Sequence, residues 1–210
     1  DYNYKGVITL IRSDQQWIFE GVLHEYPTRV GEPFTWDNLP GVKIHEAVKE
    51  TGPRQRTPEH YYDHALKIEH ELFYNKNLSD GLTARYWFYL GQSYKDAGKK
   101  DRAIKAYQKR ISLGGYAEEI YYSMYQVAIL TGELADYLAA WNFRPQRLEA
   151  AMSLMNYFNA NDFANLAAVI GTATMQLQPC RDMLFMETEL YQGKFEKYYK
   201  SIVNKAAQKK

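Results

Sequence analysis

Cysteine is nearly missing from this chain: Cys180 stands alone among 210 residues. One thiol cannot build a disulfide framework or a cysteine-based zinc site, so a reducing compartment, the cytoplasm, is the expectation. Long apolar runs are missing too. No stretch approaches the ~20 residues that cross a bilayer, and no membrane span is expected. The opening residues, DYNYKGVITLIRSD, lack a basic segment followed by an apolar one, which argues against a secretory signal. They also lack an initiator Met, so the chain reads as processed, trimmed or cut from something longer. Without secretion, the sequon Asn77-Leu78-Ser79 has no meaning. No charge of one sign dominates: 26 Lys and Arg face 25 Asp and Glu, a net charge of +1, and no nucleic-acid footprint results. Finally, there is no Asp-x-Asp, no glycine-rich strand–turn–helix fingerprint and no βαβ alternation. Those are the marks of a nucleotide-binding α/β half.

What is abundant is tyrosine, 19 residues against 9 Phe and 4 Trp. Tyr buries a ring while keeping a hydroxyl at a wet edge, which suits helical hairpins and ligand grooves alike. The densest pattern is ARYWFYLGQSYKDAGKKDRAIKAYQKRISL, residues 84 to 113. Trp87, Leu90, Gly91 and Tyr94 give W-x2-L-G-x2-Y, and Ala103 with Tyr107 gives A-x3-aromatic, the two halves of a tetratricopeptide repeat. Trp87, Leu90 and Tyr94 make one stripe on a first helix. Gly91 leaves room for a second helix, Ala103 fits against it, and Gly98 is a left-handed cap between them. The pattern breaks at Arg110, where a small residue is usual, and at Gly114-Gly115, where Pro is usual.

Around this core the chain divides. Residues 4 to 26 predict two strands, YKGVITLIR and WIFEGVLHEY, joined by Ser13–Gln16. Residues 27 to 57 carry scattered Pro and Gly and predict irregular connection, in which VKIHEAVKE is a short strand or a helical turn. From Thr57, an N-cap followed by Pro58 and Glu59, helices are predicted at 58–74, 82–97, 100–113, 116–131, 134–142, 145–159, 162–174, 182–191 and 195–206. Short links make consecutive helices antiparallel. The fold class is therefore mainly α, a tetratricopeptide-like array over 57–210 preceded by a β-hairpin region over 1–56.

Several blocks, taken in order, resemble the C-terminal part of tetratricopeptide-containing family 2 glycosyltransferases: WIFEGVLHEY (17–26), RYWFYLGQSYKDAG (85–98), AIKAYQKRISLGGYAEE (103–119), RPQRLEA (144–150) and LFMETELY (184–191). W-x3-G-x2-H-E is the most specific of them. The resemblance implies that residues 1–56 end a GT-A domain and that His24 completes a divalent-metal site (Mn2+ or Mg2+) beside a sugar-nucleotide diphosphate. It also implies that Trp17 and Glu25 lie near the sugar or acceptor. Arg12, on the preceding strand, is placed to pair with a phosphate. The complete enzyme would move a sugar from a nucleotide donor to a protein, peptide or glycan acceptor. The repeats would hold the acceptor or self-associate through an aromatic face, with Tyr86, Tyr89, Tyr121 and Tyr125 as candidates. Because the nucleotide half is missing, this chain alone should not transfer sugar; a longer chain or a partner chain would supply it. The alternative is a non-enzymatic interaction module, such as a scaffold or virion-associated protein.

Other constellations read as structural. His60 and His64 lie four apart without an H-E-x-x-H pattern, and His45-Glu46 lacks the Trp and Gly context. Glu118-Glu119 suit a helix start, and Arg144, Arg147 and Glu149 read as a surface ion pair at another helix start, with a phosphate or acidic peptide as the alternative facing the two arginines. The methionines at 152, 155, 175, 183 and 186 read as core filler.

Overall fold

The computed structural model describes residues 10–31, 35, 37 and 57–208. It is mainly helical. Strands β1 (Trp17–Glu20) and β2 (Tyr26–Arg29) form one antiparallel pair, and helices follow at α1 (Pro58–Tyr74), α2 (Asp80–Asp96), α3 (Lys100–Ser112), α4 (Ala117–Thr131), α5 (Leu134–Phe143), α6 (Leu148–Ala160), α7 (Ala164–Met175) and α8 (Phe195–Gln208). Each helix packs on the next in sequence; short connections require this from α1 to α7, whereas α8 returns to α7 after a longer segment.

The hairpin differs from the sequence expectation. WIFEGVLHEY is not one strand: it is β1, a five-residue loop and the start of β2, with Glu20 opposite Tyr26 and Trp17 opposite Arg29. Gly21 at φ 110° and His24 at φ 55° turn the chain back. A Cβ at Gly21 would come within 3.3 Å of the Leu23 carbonyl, so the turn needs glycine there. Of the predicted first strand YKGVITLIR, residues 4–12, the described part Leu10, Ile11 and Arg12 is not strand; residues 4–9, VKIHEAVKE and His45-Glu46 lie outside the described residues.

Local signals set the early helices. Thr57 Oγ1 accepts from the His60 amide at the start of α1, and Ser79 Oγ accepts from the Leu82 amide at the start of α2. At Gly91 the α2 and α3 backbones approach so closely that a Cβ would lie 2.6 Å from the Tyr107 ring. Ala103, Ala106 and Tyr107 are buried against Leu90 and Tyr94 in the first core cluster. Arg110, at the position where the repeat pattern fails, is buried. Its guanidinium ties the α3–α4 connection together, donating to Glu119 at 2.9 Å, the Gly114 carbonyl at 2.7 Å and the Tyr116 carbonyl at 3.3 Å.

A second core joins α6, α7 and α8 around Leu154, Met155, Ile170, Phe195 and Ile202. Here Gly171 is the close-approach residue, with its Cβ position 2.4 Å from Tyr199. Met155 belongs to this core, but Met175 and Met183 are exposed and fill nothing. Residues 176–187 are the second departure from expectation. Instead of a helix from 182, they form an irregular strap with turns at 176–177 and 184–185; helix resumes only after it, through a π-turn at Leu190–Lys194 kinked at Gly193 (φ 103°).

Candidate functional site

The Gly21–Glu25 loop sits on α2. Residues 86 and 89 lie three apart, so both rings rise from one helix face toward it. The Tyr86 hydroxyl accepts the Val22 amide proton at 2.9 Å, and the His24 ring lies flat on Tyr89, centroids 3.9 Å apart and planes 12° apart. Four residues before Tyr89, the Arg85 guanidinium lies over the Tyr26 ring at 4.8 Å and the Tyr89 ring at 5.4 Å, and its Nη2 donates to the Tyr89 hydroxyl at 3.2 Å. The Tyr26 hydroxyl donates to Glu20 at 2.8 Å. On the other side of the loop an open hollow of about 540 Å³ is lined by Val22, Leu66, Lys67, His70 and Glu71.

The electrostatics favour the neutral form of His24. Desolvation in the stack lowers its pKa, and the neighbouring His64 and Arg85 act in the same direction. His64 is lowered as well, by desolvation and then by His60 and Lys67, against Asp63. Neither nitrogen of His24 has a hydrogen-bond partner among the described residues. A neutral imidazole with open nitrogens is a competent ligand or proton acceptor. One imidazole is not a metal site, however, and among the described residues no group of three His, Cys, Asp or Glu could hold an ion. His60 and His64 lie with ring centroids 4.2 Å apart on α1, a contact between two histidines with no third ligand beside it.

The other expected site residues do not gather at His24. Trp17 and Arg29 pair at the far end of the strands, about 10 Å along β1 from the loop at the usual rise per residue. There the Trp17 indole donates to the Arg12 carbonyl at 2.8 Å. Arg12 is exposed and held by Asp14, with Nε at 3.0 Å and Nη2 at 2.5 Å, so its guanidinium has a carboxylate rather than an open face. Glu25 is exposed beside His24. Of the four tyrosines read as a binding face, Tyr86, Tyr121 and Tyr125 are buried, and their rings are core rather than a free surface. Only Tyr89 is half-exposed, and His24 covers one side of it. Arg85 escaped sequence reading; the signal was an arginine one turn before a tyrosine on the helix that the loop meets.

The second polar centre lies where the strap crosses α4 and α6. Arg147 and Glu149 are 0% and 1% exposed, so the expected surface pair is in fact a buried one. All five Arg147 donors are engaged: Nε and Nη2 with Glu149 at 2.9 and 3.2 Å, Nη1 with Asp182 and the Leu184 carbonyl at 3.4 and 3.1 Å, and Nη2 again with the Phe185 carbonyl at 3.3 Å. Its guanidinium also lies 4.5 Å over Tyr121. Glu149 accepts in turn from the Tyr121 and Tyr191 hydroxyls and the Glu187 amide. Arg144 pairs with Asp182, and Glu118 receives the Met183 and Leu184 amides at 2.8 and 2.7 Å. Every group has its partner, so this centre holds the strap and offers nothing to a substrate.

Compared with known proteins, the chain matches no family model and no curated protein.

Proposed function

We propose that this chain is the C-terminal portion of a metal-dependent glycosyltransferase that uses a nucleotide-sugar donor, its hairpin loop forming one wall of the donor site and its helical array presenting the acceptor. The observation that carries the reading is His24. A non-glycine residue in the left-handed region is uncommon and worth a functional explanation. Here it lies in W-x3-G-x2-H-E, the most specific block of the chain, with a ring backed by Tyr89, a lowered pKa and, among the described residues, no hydrogen-bond partner on either nitrogen. That posture suits a residue which supplies one ligand to a shared site. The oxygen ligands would come from the nucleotide half and the diphosphate, and a bound divalent ion would neutralise charge on the leaving group. The chain's own part is to hold His24 rigidly against α2, through the Val22 amide on Tyr86 and the imidazole on Tyr89.

Titration calorimetry of this chain with UDP-sugars and Mn2+, alone and with the preceding sequence or a partner half added, tests the proposal. Binding that needs the metal and disappears in His24→Ala supports it. Equal binding by wild type and His24→Ala, or none in any combination, sinks it.

A second reading, an interaction module, is favoured by α7. Among its residues ANLAAVIGTATM there is no charge, and Leu166, Val169 and Met175 are exposed beside Phe163 at its start. Apolar surface of this kind suits association. Sedimentation of wild type against Leu166→Glu/Val169→Glu tests it: a mass shift in the variant supports association through α7, and identical monomer behaviour removes it.

A further inference from the structure

Arg85 is a cation without an acid. Its Nε is buried with no acceptor, its Nη2 reaches only the Tyr89 hydroxyl, and among the described residues no carboxylate lies within ion-pair distance of it. A guanidinium drawn out of water normally finds a carboxylate or several carbonyls, as Arg110 and Arg147 do in this same chain. Of the nearby acids, Glu20 takes the Tyr26 hydroxyl and Glu71 takes Asn75 Nδ2 and His70, while Glu25 is exposed in the loop and makes no ion pair with Arg85. Next to Arg85 stand His24 and, beyond it, His64, two further groups that carry positive charge or donate N–H. The rings of Tyr26 and Tyr89 lie 4.8 and 5.4 Å from the carbon of the fork. A planar fork between two aromatic rings, with unused N–H donors and a neighbouring imidazole, matches two oxygens of one anionic group.

The geometry points to an oxyanion-binding site at the seam between the Gly21–Glu25 loop and α2, in which Arg85 is the fork and His24 a second donor, for a phosphoryl or carboxylate group of a ligand. It needs no metal and stands apart from the donor-sugar reading above.

The test is a titration of the whole chain in EDTA at constant ionic strength with inorganic phosphate, pyrophosphate or acetate. Binding is followed by the backbone amide resonances of Gly21–Glu25, which every variant keeps, and in wild type also by the Nε–Hε resonance of Arg85, assigned by its disappearance in Arg85→Lys. The expected result is a saturable shift, weakened tenfold or more in Arg85→Gln and nearly unchanged in Tyr157→Phe, a tyrosine of α6. Tighter binding of pyrophosphate than acetate identifies a phosphoryl ligand; the reverse order identifies a carboxylate. No saturable shift at about 50 mM, where a millimolar site would be full, overturns the proposal. So does equal binding by wild type and Arg85→Gln. Should Arg85→Gln fail to fold by circular dichroism, Arg85→Lys takes its place, since it keeps the charge and loses the fork; unchanged affinity there also overturns the site. Because metal is chelated throughout, this experiment can fail while the Mn2+-dependent one succeeds, and the reverse.

Discussion

The Gly21–Glu25 loop and the 176–187 strap both cross helices that they do not continue, and they are held by opposite means. The loop rests on one backbone hydrogen bond and one ring stack, with His24 and Glu25 still exposed. The strap is pinned by a buried guanidinium whose five donors are all used, by Asp182, and by a glutamate that receives two of its amides. A thin attachment leaves open donors and an uncompensated Arg85; a saturated one leaves nothing to bind with. Polar groups without partners mark the place where chemistry can be done, and polar groups with every partner mark a fastener.

The comparison breaks first at Arg147. Arg147→Ala strands Glu149 and Asp182 in the interior, and removal of one member of a buried pair typically costs about 3–5 kcal/mol. Urea denaturation should show that loss, with early release of α6–α8, whereas an Arg147→Met/Glu149→Leu pair should recover much of it. A single variant within about 1 kcal/mol of wild type would mean that the network is dispensable.

Next come the two close-approach glycines. Gly171→Ala places a Cβ 2.4 Å from Tyr199 Cδ2, and Gly91→Ala places one 2.6 Å from the Tyr107 ring. Overpacking of this kind costs about 1–3 kcal/mol, offset in part by the better helix propensity of Ala. Tyr107 is fully buried and Tyr199 only half-buried, so Gly91→Ala should be the worse of the two in a thermal melt. The opposite order would show that α7–α8 is the stiffer contact.

The loop should respond more gently. Tyr86→Phe removes the acceptor of the Val22 amide, but that amide can turn to water. Global stability should fall by about 1 kcal/mol or less while exchange of the Val22 amide accelerates. Unchanged exchange would mean that the loop is held by His24 on Tyr89 alone.

The smallest effect concerns alkaline pH. Burial raises the pKa of Tyr94 to about 12, with the hydrogen bond to Glu69 adding to the rise, and burial likewise raises Tyr121, Tyr125 and Tyr191 around the strap. A raised tyrosine pKa means that the folded chain holds its proton longer than the unfolded chain, which releases it near pH 10. The contribution is therefore complete below about pH 10 and lost as pH climbs toward 12. Ultraviolet titration should show a late, cooperative tyrosinate step coincident with unfolding; smooth independent titration from pH 10 would contradict it.

Much of the array was legible because its signals are local. Thr57 and Ser79 each cap a helix with their own side chain, Gly91 and Ala103 carry the spacing of a helical hairpin, and Gly132 at φ 77° closes α4 as a left-handed cap. The strap was not legible. METELY carries helix-favouring residues, yet Phe185 sits at φ 49° and stacks on Tyr122, 4.4 Å between centroids, because Arg147 and Glu118 occupy the strap's carbonyls and amides. Those partners lie about 35 to 66 residues away in sequence, beyond the reach of any periodicity.

The candidate site divides the same way. His24 and Glu25 stood out in the sequence as a dense motif, and the loop does carry them together. Trp17 and Arg12 were attached to them by nearness along the chain, and the strand register sends both to the far end of the hairpin. The tyrosines 86, 121 and 125 were candidates because their rings recur at helical spacing, and that spacing equally fits the buried side of a helix, where they lie.

By itself, the sequence determined the helical class, the start and close of most helices and the tight α2–α3 contact, since capping, glycine spacing and apolar stripes act over a few residues. Tertiary structure alone decided which polar side chains are fasteners and which are open. Arg110, Arg147 and Arg85 are one residue type with the same chemistry; the folded α3–α4 connection satisfies the first, the distant strap satisfies the second, and among the described residues no carboxylate or carbonyl reaches the third.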